Sequence, residues 1–317
     1  MAYIGLKTQQ RRNNIRSLML VLLFPFLVVG LTYVGIGAFV FWGYEDTSSS
    51  SILLVNEMFI SFAPIVLGGV LIWFFIAYFA NTFIIQNATQ SRPLTRRENI
   101  RVYNLVENLC MSVGMVMPKI NLIEDSALNA FASGLNKNTY TVTLTRGIID
   151  TLNDEELEGV IAHELSHIRN RDVRLLIISI VFVGIFSMIA QLGFRALLYG
   201  GGGNRSSDKN NKGNGVILLI VVMLIAAIGY LLSILMRFAI SRKREYLADA
   251  AAAEMTKNPL ALASALRRIS GNPNLHRQVP NDIAQLFIEH SPHKAAFASL
   301  FATHPPIKKR IEILEQF

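Results

Sequence analysis

Four stretches of the chain run almost free of charged side chains, roughly Ser17 to Trp42, Ser61 to Ile85, Val173 to Leu198 and Val216 to Ile240. Each reaches the ~20 helical residues that a hydrocarbon core requires, so the pattern predicts four transmembrane helices. Elsewhere the periodicity is that of a folded domain. Arg97 to Val113 reads as a helix, Lys119 to Ile123 and Tyr140 to Leu144 have the alternation or β-branched content of strands, and Ala130 to Ala132 adds a short strand between them. Beyond the fourth stretch the pattern is mainly helical, with Gly271 after one helix and Pro305-Pro306 opening the last. No repeat of the solenoid kind is visible.

The polar segments, about Gln86 to Asp172 and Ser241 to Phe317, each lack the makings of a complete core. They are predicted to form one discontinuous α+β domain with a small sheet. The expected organisation is residues 1–86 with spans one and two, 87–172 as the first part of the domain, 173–240 with spans three and four around a Gly-rich loop at 200–215, and 241–317 as the second part.

Composition supports a membrane protein, since 52% of the 317 residues are apolar and only 16% are charged. A net charge of +8 raises nucleic acid as a partner. The basic clusters Arg11-Arg12, Arg96-Arg97 and Arg242-Lys243-Arg244, however, flank apolar runs, which favours lipid headgroups and topology control; no nucleic-acid partner is expected. The first short loop, Gly43 to Ser51, carries Glu45 and Asp46 and no basic residue, so both termini and the long middle segment are predicted to face the cytoplasm. Arg205, Lys209 and Lys212 in the Gly-rich loop run weakly against that orientation. The first span is too long for a signal-peptide core and reads as an uncleaved anchor. Cys110 is the single cysteine, is expected to be a buried structural thiol, and excludes an intrachain disulfide.

Chemistry concentrates at His163-Glu-Leu-Ser-His167. Asn153 and Glu156 form a plausible capping box, and Asp154, Glu155 and Glu156 load the positive end of the helix dipole, so the motif lies in the later turns of a helix. Residues four apart share a helix face, which lets His163 and His167 offer two imidazole nitrogens to one ion. Glu164 is then placed to take a proton from a water that the ion activates and to return it to the leaving amine. The predicted cofactor is one Zn2+ per chain, with manganese or cobalt as alternatives for the same ligands. A third protein ligand is needed. Glu245 is the candidate, with Asp249 on the same helix face to accept the free N–H of a ligating histidine. His167 precedes the third span by roughly 9 Å and Glu245 follows Arg237 by roughly 12 Å along a continuous helix, which puts both at similar heights beside one bilayer face. Few ionisable residues lie within the spans, which disfavours a transporter. Glu164 disfavours a purely structural zinc in a membrane chaperone or adaptor, because such a site has no use for a base.

At these residues the sequence resembles the HtpX family of bacterial membrane zinc endopeptidases, of the gluzincin group. The resemblance is carried by four spans, His163 to His167 running into the third, Arg-Glu-Tyr-Leu-Ala-Asp at 244–249 and Thr303-His304-Pro305-Pro306. It implies a zincin-like catalytic domain facing the cytoplasm from the bacterial inner membrane. It also implies a stress-linked quality-control protease that cuts misfolded or damaged membrane proteins and unfolded polypeptides. By the same resemblance Asn129, Ala130, Phe131 and Ala132 form an edge strand that binds substrate through its main chain, His304 comes to the active site to stabilise the oxyanion, and Arg310 anchors the segment after it. His276, His290 and His293 are given no role.

Overall fold

The computed structural model describes residues 6–43, 49–178, 180–181, 184, 195, 229–230, 243–272, 279, 283, 286–288 and 305–317. They divide into two compact units, one from Met1–Ser17, Phe79–Ile177 and Arg237–Phe317, the other from Leu18–Tyr78 and Ile178–Met236.

Two long helices, α1 (Leu6–Gly43) and α2 (Ser49–Thr89), supply most of the described second unit. Within them, Gln10–Phe41 and Ser51–Thr89 are long and apolar enough to cross a membrane, each containing an 18-residue stretch with a mean hydropathy of 2.4. Their large side chains face outward: Phe26, Ile60 and Ile65 are 74, 70 and 69% exposed. Contiguous apolar surface of this kind needs lipid or protein to cover it. Tyr33 joins the two helices, meeting Phe59 edge-on at 5.1 Å and donating its hydroxyl to Asn56 Oδ1 at 3.1 Å.

Both helices exceed their predicted spans. α1 begins before Ser17 because its basic first turns are part of the first unit, where Gln10 and Asn13 bond the Arg169 and Asn170 carbonyls; α2 begins before Ser61 because Ile52 and Leu53 already continue its exposed apolar surface. The Gly-rich loop, most of the third predicted span beyond Ile178 and nearly all of the fourth lie outside the described residues.

The first unit carries a four-stranded sheet in the order β1-β2-β4-β3, from β1 (Arg92–Pro93), β2 (Lys119–Ile123), β3 (Ala130–Ser133) and β4 (Thr141–Thr145). β2 and β4 are parallel, and the two outer pairs are antiparallel. Buried Ile120, Leu122, Phe131, Val142 and Leu144 make it a core sheet. β1 has too few residues to leave a periodic signal, and β4 shifts one residue later than its pattern because Thr145 both pairs with Asn129 and caps the next helix.

Against this sheet lie α4 (Arg146–Thr151) and α5 (Asp154–Arg169), and α3 (Ile100–Ser112) packs on α5. Asn99 sets the start of α3 by accepting the Val102 N–H, three residues later than its predicted onset. Cys110 on α3 is buried, which pushes its thiol up to about 11 and leaves it an inert packing group.

α5 is the central helix. Its reciprocal Asn153–Glu156 capping box forms as predicted, and Leu157, Val160, Ile161 and Leu165 are fully buried. It packs on β3, α3, α6 (Lys243–Thr256) and α7 (Pro259–Ile269), and α7 in turn packs on α8 (Ile307–Leu314). Gly159 lets α7 approach closely, since a Cβ there would stand 3.2 Å from the Leu262 backbone.

Candidate metal centre

α5 ends with His163 and His167 one turn apart on one face, and α6 crosses that face. The crossing is close enough for Ser166 Oγ to donate to the Ala248 carbonyl at 3.4 Å. As a result Glu245, distant in sequence, comes between the imidazoles. His163 Nε2 lies 3.6 Å from Glu245 Oε2, His167 Nε2 lies 3.6 Å from Glu245 Oε1, and the two Nε2 atoms are 3.2 Å apart.

This triangle has the size of a metal site. Zinc bonds of about 2.0–2.1 Å in a tetrahedron put ligand atoms roughly 3.3 Å from one another. Two imidazoles and a carboxylate are also a donor set that zinc accepts, and three protein donors leave one position for water or substrate. Glu164 is buried and lines the same cavity as His167, Glu245 and Ala132.

Each histidine is held from behind by a carboxylate. His163 Nδ1 donates to Asp249 Oδ1 at 2.9 Å. Asp249 is itself gripped by the fully buried Arg310, whose Nε and Nη2 donate to its two oxygens at 2.9 and 2.7 Å. Burial alone would raise the Asp249 pKa, but the charge and hydrogen bonds of Arg310 and the bond from His163 hold it at about 2. Burial and Arg310 oppose a charge on His163, yet its bonds to Asp249 and Glu245 outweigh them and lift its pKa to about 9. His167 Nδ1 lies 3.2 Å from Asp172 Oδ2, and Arg244 Nη1 donates to Asp172 Oδ1 at 3.3 Å. Burial pushes the Asp172 pKa up, while Arg244 and His167 bring it below the usual carboxylate value.

The structure places Asp249 against the Nδ1 side of His163. Arg310 does more than the anchoring expected of it, because its fork fixes the carboxylate that orients His163. Asp172 was not singled out in the sequence, and Arg244 was named there only in a basic cluster and a family motif, with no role behind a histidine. The available signal was an acid five residues after His167, but nothing in the pattern ranks it above the other acids nearby.

Asn129, Ala130, Phe131 and Ala132 run into the outer strand of the described sheet. Thr145 N–H donates to the Asn129 carbonyl, so alternation turns the N–H and C=O of Ala130 and Ala132 away from β4. The Ala130 carbonyl already accepts from Ile288 N–H at 2.9 Å, and Phe287 packs edge-on against Phe131 at 4.9 Å. Ala132 opens on the cavity with Glu164. His304, His276, His290 and His293 lie outside the described residues.

Comparison with known proteins bears on this geometry. Residues 96–317 match the sequence model of peptidase family M48. A protease HtpX homolog of Bacteroides fragilis is 60% identical over the whole of both chains. One from Streptococcus pyogenes is 40% identical over 75% of this chain and 80% of its own. The crystal structure of S. mikatae Ste24p is similar at a TM-score of 0.44 and 18% identity, covering 96% of this chain and 67% of that one.

Proposed function

The chain belongs to peptidase family M48, as a metallopeptidase of the HtpX type, and from that premise we propose a zinc endopeptidase that cuts cytoplasmic regions of misfolded or damaged proteins in the bacterial inner membrane. The observation that carries this reading is the convergence of His163, His167 and Glu245 within 4.8 Å beside the cavity that Glu164 lines. With Asp249 and Asp172 placed to take their Nδ1–H groups, His163 and His167 would be left to hold an ion through Nε2. Zinc, when bound, supplies Lewis acidity that polarises the scissile carbonyl and makes water acidic near neutral pH.

Proton movement falls to Glu164. Its carboxylate accepts a proton as water attacks the carbonyl carbon, and the resulting acid delivers that proton to the amine nitrogen as the peptide bond breaks. The outward N–H and C=O of Ala132 suit main-chain pairing with an extended substrate, which favours cleavage with little regard to sequence. Arg244 and Leu286 also line the cavity and supply one charged and one apolar wall. Two apolar helices, α1 and α2, support residence in a membrane, and the basic flanks support a cytoplasmic position for both termini and the catalytic domain. His304 keeps its assignment as an oxyanion donor on the resemblance alone.

Glu164→Gln is the direct test. It is expected to retain zinc while losing casein cleavage by at least about a hundredfold, the scale of a lost general base. Turnover near that of the parent protein would exclude Glu164 as the proton carrier.

A further inference from the structure

The first turns of α1 belong to the same compact unit as the metal centre. There Gln10 and Asn13 lie three residues apart and share a helix face. Gln10 Nε2 donates to the Arg169 carbonyl at 2.7 Å, and Asn13 Nδ2 donates to the Asn170 carbonyl at 2.9 Å. Both carbonyls stand at the end of α5, where the left-handed turn at Arg171 interrupts the helical ladder before helix resumes at Asp172. Capping α5 from a distant segment accounts for Gln10.

It does not account for Asn13. An amide nitrogen carries two N–H groups, and Asn13 Nδ2 also donates to Asp172 Oδ1 at 2.6 Å. Asn13 is 2% exposed, so little water competes for that bond. Asp172 reaches this point because Arg171, at φ 61°, turns the chain through the left-handed region that non-glycine residues seldom enter. The turn sets Asp172 Oδ2 against His167 Nδ1 while Oδ1 is held by Asn13 and Arg244. Donors on Oδ1 restrain the carboxylate and leave Oδ2 to the imidazole.

We infer that Asn13 is a positioning residue of the metal centre: it holds Asp172, Asp172 holds His167, and the amino-terminal segment is thereby a working part of the site as well as the start of a membrane helix. The inference rests on the zinc reading of His163, His167 and Glu245. It gives a chemical reason for an amide at position 13, since a carboxylate there would face Asp172 with like charge and no donor.

The test is zinc release from the full-length protein in detergent, followed with a chromogenic chelator after loading with zinc alone. Asn13→Ala is expected to speed release about tenfold, the lower range for loss of a group behind a metal ligand, and Asn13→Asp to speed it more. Gln10→Ala, which removes the neighbouring cap without touching Asp172, is expected to release zinc at the parental rate. In an Asp172→Asn background, Asn13→Ala is expected to add less than about twofold, because the group through which it acts has already changed.

Parental release from both Asn13 variants, or the same factor for Asn13→Ala in both backgrounds, overturns the inference and leaves Asn13 as a helix cap. Faster release from Gln10→Ala equal to that of Asn13→Ala does the same. Should Asn13→Ala not fold, Asn13→Asp, which keeps the side-chain volume, carries the comparison in both backgrounds. Failure of the parent chain to bind zinc is a separate outcome that removes the metal reading itself.

Discussion

The two histidines of the centre are the same residue type on the same helix, yet they are supported unequally. Behind His163 stands Asp249, buried and clasped at both oxygens by Arg310. Behind His167, which is 14% exposed at its side chain, stands Asp172, held by one long bond from Arg244 and by Asn13. A planar guanidinium matched to a carboxylate gives two short charge-assisted bonds in one geometry, whereas single contacts from separate elements constrain less. One side of the site is therefore rigid and costly to disturb, and the other is adjustable and open to the cavity.

Removing the proposed ligand shared by both sides abolishes the comparison altogether. Glu245→Ala is expected to lower zinc from about one to near zero per chain after dialysis, by metal analysis. Unchanged stoichiometry would mean that another group completes the site. On the rigid side, Arg310→Met leaves Asp249 buried beside a non-polar side chain, and breaking such a pair costs about 3–5 kcal/mol. Thermal unfolding in detergent is expected to show the loss, and a melting temperature within a degree of the parent would contradict the burial of that charge.

A direct contrast comes from neutralising each supporting carboxylate. Loss of such a group costs about 10–100-fold in metal affinity. Asp249→Asn is expected near the top of that range and Asp172→Asn near the bottom, measured by competition with a chelator. The reverse order would show that the adjustable side dominates.

The pH response sharpens the same contrast without changing the sequence. His163 must lose its proton to bind an ion, and Asp249 and Glu245, against burial and Arg310, hold that proton up to about 9. Zinc affinity is thus expected to rise about tenfold per pH unit below that value and to level off above it. The metal-free protein follows the opposite sign. Its raised His163 pKa contributes stability that is full below the unfolded histidine value and is lost as pH rises through about 9. A zinc affinity that stays flat between pH 6 and 8 would separate His163 from the coupling.

Much of this was legible along the chain because it is local. His163 and His167 declare themselves through helical spacing, Asn153 and Glu156 through a cap that closes within one turn, and α1 and α2 through apolar runs of membrane length. Even the distant Glu245 and Asp249 could be chosen, since a four-residue spacing of acids on a helix is itself a pattern. Asp172, Arg244 and Asn13 carry no such mark. Their roles depend on a left-handed turn at Arg171, on the crossing of α5 by α6, and on the docking of an amino-terminal helix.

The sequence by itself determined most of the described helices, three of the four strands, the candidate ion-binding pair with its neighbouring base, and the membrane character, because each follows from neighbours within a few turns. Tertiary structure alone decided which carboxylate orients which imidazole and that Arg310 is buried in a fork on Asp249. The physical reason is that hydrogen bonds act over about 3 Å between groups that the chain order leaves far apart, so only packing brings donor and acceptor into reach.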